Sequence, residues 1–195
     1  MKNLILLFFL IFFQTSITSA DNSVKVKRIV IGNKDAKITI IAYESLTCSH
    51  CADFHINIFP DLKRDYIDTG IAKVEFRHFP LDEAAFNASK IAQCKNDGNS
   101  DILNSLYLNQ NKWIKGQTIN EVNENLKKFL VSEGIEVDFN KCTVDKKIEE
   151  FVLNDRIEGV KKFKVNATPT IIINDKKFEK SLNYKNLKKT IEKLI

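Results

Sequence analysis

Beyond its first twenty residues the sequence has no apolar run approaching the roughly 20 residues that span a bilayer, so no internal membrane helix is expected. It has no cluster of lysine and arginine interleaved with aromatics, which excludes a nucleic-acid face. The formal charge of +5 is spread over mixed Lys and Asp/Glu, the pattern of a solvated, mildly basic surface. There is no internal repeat, no low-complexity linker and no composition break that would mark a second independent domain. No cysteine lies near Ala20, which argues against a lipid anchor there. Nor is a cysteine left over: the four are Cys48, Cys51, Cys94 and Cys142.

What is present begins with "MKNLILLFFLIFFQTSITSA": one lysine, an unbroken apolar run from Leu4 to Phe13, then Thr18-Ser19-Ala20. That order is a secretory signal. Residues 1–20 are therefore expected to be removed after Ala20, leaving a chain of about 175 residues, enough for one domain with a sizeable insertion. Export changes how cysteine is read, because disulfides persist outside the cytosol. An even number then means paired sulfur by default. Cys48 and Cys51 are close enough to pair locally, which leaves Cys94 and Cys142 for each other.

"RIVIGNKDAKITIIAY" predicts a short strand, a turn at Gly32-Asn33-Lys34-Asp35, and a β-branched strand over Lys37 to Tyr43 that is apolar on both faces, as in a buried central strand. Helical spacing follows from about Cys51 to Tyr66, with Phe54, Ile58, Phe59 and Leu62 on one side and Pro60 set to kink or divide it. A third strand is expected over Ile71 to Phe79. From Asp82 to Lys162 the spacing is helical, with start and stop signals that divide it into about four helices. Strand pattern returns in "TPTIIIN", then a tight turn at Asp175-Lys176, "KKFEK", and a closing helix from Tyr184 to Ile195. The whole reads as β-α-β, a helical insert over 82–162, and β-β-α.

"SLTCSHC" places Cys48-Ser49-His50-Cys51 directly after the central strand. Structural zinc needs four well-placed ligands; Cys48, Cys51 and His55 could make three, with His50 or His78 a fourth, but Cys51 should sit inside the first helical turn and His50 would point away from His55. Two thiolates alone could hold Cu(I). As a staple, a two-residue spacer shortens the unfolded chain very little, whereas a Cys94–Cys142 loop of about 49 residues would contribute on the order of 4 kcal/mol. Redox exchange has the strongest context: a CxxC that follows a strand and opens a helix in a βαβ unit. Unpaired backbone N–H groups and the helix dipole favour a thiolate there, which is both nucleophile and better leaving group. Cys48 is the expected attacking sulfur and Cys51 the buried resolving one. A protonated His50 would add positive charge, and Ser49 could donate a hydrogen bond to sulfur.

"SLTCSHC", "FRHFPLD" (76–82), "LNQNKW" (108–113) and "VNATPTIIIN" (165–174) together resemble the DsbA-like branch of the thioredoxin superfamily, in particular the DsbA/Com1-like proteins of α-proteobacteria. The resemblance spans nearly the whole mature chain in family order. It implies an α/β thioredoxin-like core, residues 21–81 and 163–195, with an inserted all-helical domain, residues 82–162. It implies Cys48 and Cys51 as the catalytic pair tuned by Ser49 and His50, and Thr168-Pro169 as a cis-proline loop that receives substrate backbone. It further implies a non-catalytic Cys94–Cys142 disulfide, no bound organic cofactor, exported thiol proteins as substrates, and a DsbB-like quinone-linked membrane oxidase as partner. A periplasmic location and a monomer are expected. Serine where many oxidases carry proline, and threonine before the proline, leave an isomerase or reductase as the alternative, beside a copper-binding protein using the same thiols. His55 is expected exposed or half-buried, and His78 and Trp113 as packing. Glu44 lies near the place where thioredoxin-like proteins often bury an acid, but that place here is Ala42.

Overall fold

The computed structural model describes residues 25–195; the leader and its cleavage after Ala20 lie outside the described residues. Five strands, β1 (Ile29–Gly32), β2 (Ile38–Glu44), β3 (Ala72–His78), β4 (Thr170–Ile173) and β5 (Lys176–Lys177), form one mixed sheet in the order β1-β3-β2-β4-β5. β2 runs parallel to β3 and antiparallel to β4. It is central, and its period-two alternation fills two cores. Ile38, Ile40 and Ala42 join Leu62, Leu187 and Ile191 on one face, while Ile41 and Tyr43 join Phe79, Phe163, Val165 and Ile172 on the other.

The helical stretch after β2 starts two residues earlier than the spacing suggests and changes pitch along its length. α1 (Ser49–Asp53) passes into a π-helical segment (Phe54–Ile58), then α2 (Phe59–Leu62), then a second π-helical segment (Lys63–Ile67). Pro60 sits in the first turn of α2. Proline has no N–H to continue the ladder, and the stretch is divided just before it, where the π-helical segment gives way to α2.

Between β3 and β4 lie six helices, not four: α3 (Glu83–Gln93), α4 (Asp101–Leu108), α5 (Gln110–Trp113), α6 (Ile119–Ser132), α7 (Phe139–Val144) and α8 (Lys146–Phe163). Two of the expected helices are each divided by one residue. Asn109 separates α4 from α5 at φ −124°. Asp145 separates α7 from α8 because its carboxylate prefers to cap, accepting the N–H groups of Lys147 (2.9 Å) and Ile148 (3.2 Å). Cys94, just after α3, is disulfide-bonded to Cys142 of α7, with Cα atoms 5.5 Å apart.

α8 is the member of this group that docks on the sheet. Gly159 makes the approach possible, since a Cβ there would lie 2.8 Å from the Tyr43 ring. The buried Asp155 carboxylate then locks the contact, bonding Arg28 at 2.6 Å and the backbone N–H of His78 at 3.1 Å. The β4–β5 turn falls on Asn174-Asp175, one residue before the expected place. Both carry positive φ, 45° and 62°, which a two-residue hairpin turn demands and which Asn and Asp tolerate. α9 (Tyr184–Ile191) ends the fold four residues short of the expected end, capped at its start by Asn183.

Candidate active site

Cys48 closes the loop that leaves β2. It is the N-cap of α1, in extended conformation, and its carbonyl accepts the N–H groups of Cys51 (3.1 Å) and Ala52 (3.2 Å). The loop is fastened on several sides. Thr47 Oγ1 donates to Asp82 at 2.6 Å, Leu81 N–H donates to Ser45 Oγ at 3.3 Å, and Gln110 Nε2 donates to the carbonyls of Leu46 (2.8 Å) and Cys48 (3.0 Å). Asp82 is itself fixed as the N-cap of α3, accepting Ala85 N–H at 2.7 Å.

Cys48 and Cys51 are free thiols; Cys48 is half-buried and Cys51 fully buried. The Cys48 thiol is brought down to about 5, chiefly because the Cys51 thiol donates to its sulfur; burial opposes this, and the Thr168 hydroxyl and the backbone N–H groups of Cys51 and His50 add to it. The same pairing pushes Cys51 the other way. Burial raises its thiol far above the ordinary range, reinforced by the bond it would lose to Cys48 and by the nearby Glu44 carboxylate. The two sulfurs thus differ in charge at neutral pH, one thiolate and one thiol.

Ser49 and His50 are exposed at the head of α1. The donor that Ser49 was expected to offer sulfur is not formed among the described residues, because as the first helical residue it faces water. From His50 it is the backbone N–H that acts on Cys48. Thr168 lies across from the pair: its peptide bond to Pro169 is cis, and its carbonyl oxygen is 3.3 Å from Cys48 Sγ. The Thr168 hydroxyl is buried with no partner in hydrogen-bond geometry.

His55 corrects the expectation of an exposed or half-buried residue. It is 4% exposed, bonded through Nε2 to Glu44 Oε2 at 2.9 Å and stacked on Tyr107 with ring centroids 4.1 Å apart. His55 falls at helical spacing with the buried Ile58, Phe59 and Leu62, three, four and seven residues on, and so lies on the apolar side; its buried partner Glu44 satisfies the ring nitrogen there. Glu44 is buried on the same face of β2 as Ala42, two residues nearer the cysteines. Burial raises its carboxyl, with His55 pulling the other way. His78 is buried and lowered to about 3 by desolvation and then Arg28, so it stays neutral. Trp113 is fully buried, its Nε1 donating to Leu106 O at 2.9 Å. Among the described residues no three of His, Cys, Asp and Glu are gathered as ligands for a metal ion. Sequence reasoning assigned no role to Thr47, Asp82 or Gln110, although all three lie in stretches that carry the family resemblance.

A family model described as Thioredoxin matches residues 24–193. The crystal structure of Wolbachia pipientis alpha-DsbA1 superposes with a TM-score of 0.75 at 31% identity, over 86% of this chain and 90% of that one. The chain belongs to the DsbA-like branch of the thioredoxin superfamily. Its mixed sheet with a helical insertion is the thioredoxin-like fold of that DsbA structure. A Rickettsia bellii protein named for protein-disulfide oxidoreductase activity is 36% identical over 148 residues, 74% of this chain and 56% of the relative. Disulfide bond formation protein D of Bacillus subtilis is 27% identical over 174 residues, 84% of this chain and 75% of that protein. This DsbA-like chain spans only 56% and 61% of the first two curated relatives it matches.

Proposed function

We propose that the chain is an exported thiol:disulfide oxidoreductase that introduces disulfides into other exported proteins through Cys48 and Cys51. The observation that carries this reading is the asymmetry of the pair. A half-exposed Cys48 is lowered to about 5 beside a buried Cys51 that holds its proton. A stabilised Cys48 thiolate stabilises the reduced form, and that makes the disulfide oxidising.

In the oxidised protein, a substrate thiolate attacks Cys48 Sγ. The new S–S bond joins substrate to Cys48, and Cys51 leaves as a thiolate that takes up a proton in its buried site. A second substrate thiolate attacks the substrate sulfur of this mixed disulfide. Cys48 leaves as the thiolate its surroundings favour, two electrons now rest on the protein, and the substrate carries a disulfide. Substrate backbone would pair along the edge at Thr168-Pro169. The redox couple is the sulfur pair, so this reading calls for no bound organic cofactor. A DsbB-like quinone-linked membrane oxidase would reoxidise the dithiol, in the periplasm, with the protein acting as a monomer; these points rest on family resemblance. No helix among the described residues is long and apolar enough to cross a membrane.

The deciding experiment is the equilibrium of Cys48–Cys51 with glutathione. A potential near about −120 mV, the strong-oxidant region, supports the oxidase. A potential near about −270 mV, the thioredoxin region, replaces it with a reductase or isomerase. Tight Cu(I) binding by the dithiol with slow exchange toward peptides would favour the copper reading.

A further inference from the structure

The side chain of Gln110 is the point where the helical insert reaches the backbone of Cys48 itself. Gln110 opens α5, a single turn pinned by the buried Trp113, and its backbone carbonyl accepts Ile114 N–H at 2.9 Å. Its side-chain amide has two N–H donors, and both are directed at carbonyls of the catalytic loop, Leu46 at 2.8 Å and Cys48 at 3.0 Å. Among the described residues no other hydrogen bond reaches the Leu46 oxygen. The Cys48 oxygen already receives the N–H groups of Cys51 and Ala52, so the amide is a third donor to it.

We propose that Gln110 is a positioning residue for Cys48, its amide neutralising the two carbonyl dipoles that would otherwise oppose negative charge on Cys48 Sγ. The Cys48 carbonyl is only a few covalent bonds from its own sulfur, with its partial negative charge fixed nearby. Donors on that oxygen weaken its repulsion of a thiolate. Gln110 thus ties the redox character of the core to the placement of the insert. This rests on the reading of Cys48 as the exchanging sulfur.

The test uses the full exported chain with Gln110→Ala and Gln110→Glu. Gln110→Glu keeps the shape but replaces both donors with a carboxylate facing two carbonyls. Thiolate absorbance at 240 nm gives the Cys48 titration. A glutathione series gives the redox midpoint, and melting is recorded for oxidised and reduced protein. Both variants should titrate at higher pH than the parent, and the redox equilibrium should move about three- to ten-fold toward the reducing side, since a tenfold change accompanies each pH unit of displacement. Gln110→Glu should exceed Gln110→Ala, and the reduced form should lose more melting temperature than the oxidised. The proposal is overturned if both forms lose melting temperature equally while titration and midpoint stay with the parent; Gln110 then only fastens the loop. A parental midpoint in the thioredoxin region would instead overturn the oxidase reading, and the difference between parent and variants would still decide the role of Gln110.

Discussion

Cys48 Sγ lies 3.3 Å from the carbonyl oxygen of Thr168, a residue 120 positions further along the chain. The contact is a hydrogen bond only while the sulfur carries its proton, because a thiolate and a carbonyl oxygen are both acceptors. Ionising Cys48 therefore frees the Thr168 carbonyl for the N–H of an extended peptide. The nucleophile and the backbone edge beside it become available together.

Cys48→Ala should abolish exchange with thiol peptides. Offered a disulfide-bonded peptide, Cys51→Ala should still attack through Cys48, displacing one peptide thiolate, and should accumulate a mixed disulfide that mass spectrometry detects. Equal residual turnover in the two variants would contradict the division of roles.

Alkylation of the reduced protein should follow a Cys48 titration centred at about pH 5. Because its folded-state pKa lies below the unfolded thiol value of 9.0, the Cys48 thiolate stabilises the reduced fold fully above that unfolded value. The contribution is lost as pH falls through about 5. Reduced-minus-oxidised melting temperature should accordingly shrink between pH 9 and 5 and level off below. A flat difference over that range would show that Cys48 is not ionised in the fold.

Thr168→Val removes a buried hydroxyl that helps lower Cys48 although it has no partner in hydrogen-bond geometry. The alkylation midpoint should rise, while the carbonyl edge, a backbone feature, remains. Peptide affinity should change less than reactivity.

Glu44→Gln takes a negative charge away from Cys51. In a Cys48→Ser background, Cys51 should react with a small alkylating reagent at lower pH once Glu44→Gln is added than while Glu44 is present. An unchanged profile would mean that burial alone sets the Cys51 thiol.

Replacing Cys94 and Cys142 by alanine together reopens a loop of 48 positions. The chain-entropy argument puts the loss on the order of 4 kcal/mol, and about ten degrees of melting temperature for a chain of this size. The Cys48 titration should not move.

By itself the sequence determined the alternation of strands and helices, the central place of the Ile38–Glu44 strand, and the pair Cys48–Cys51 at a strand-to-helix junction. These are local matters: β-branched runs, period-two and 3.6-residue spacing, and a motif read within a few residues. Tertiary structure decided the rest. His55 shares its helical face with Ile58, Phe59 and Leu62, but only the tertiary fold brought Glu44 and Tyr107 against it, so that a polar ring could be buried there. Side-chain capping by Asp145 divided a helix that periodicity reads as one. Asn174 and Asp175 accepted left-handed backbone, which shifted a turn by one residue. The Cys48 thiolate was legible as far as the local N–H groups of His50 and Cys51 favour it, but the depth at which Cys51 is buried and the arrival of Thr168 beside Cys48 came from the tertiary fold. Burial and long-range hydrogen bonds have no sequence spacing from which they could be read.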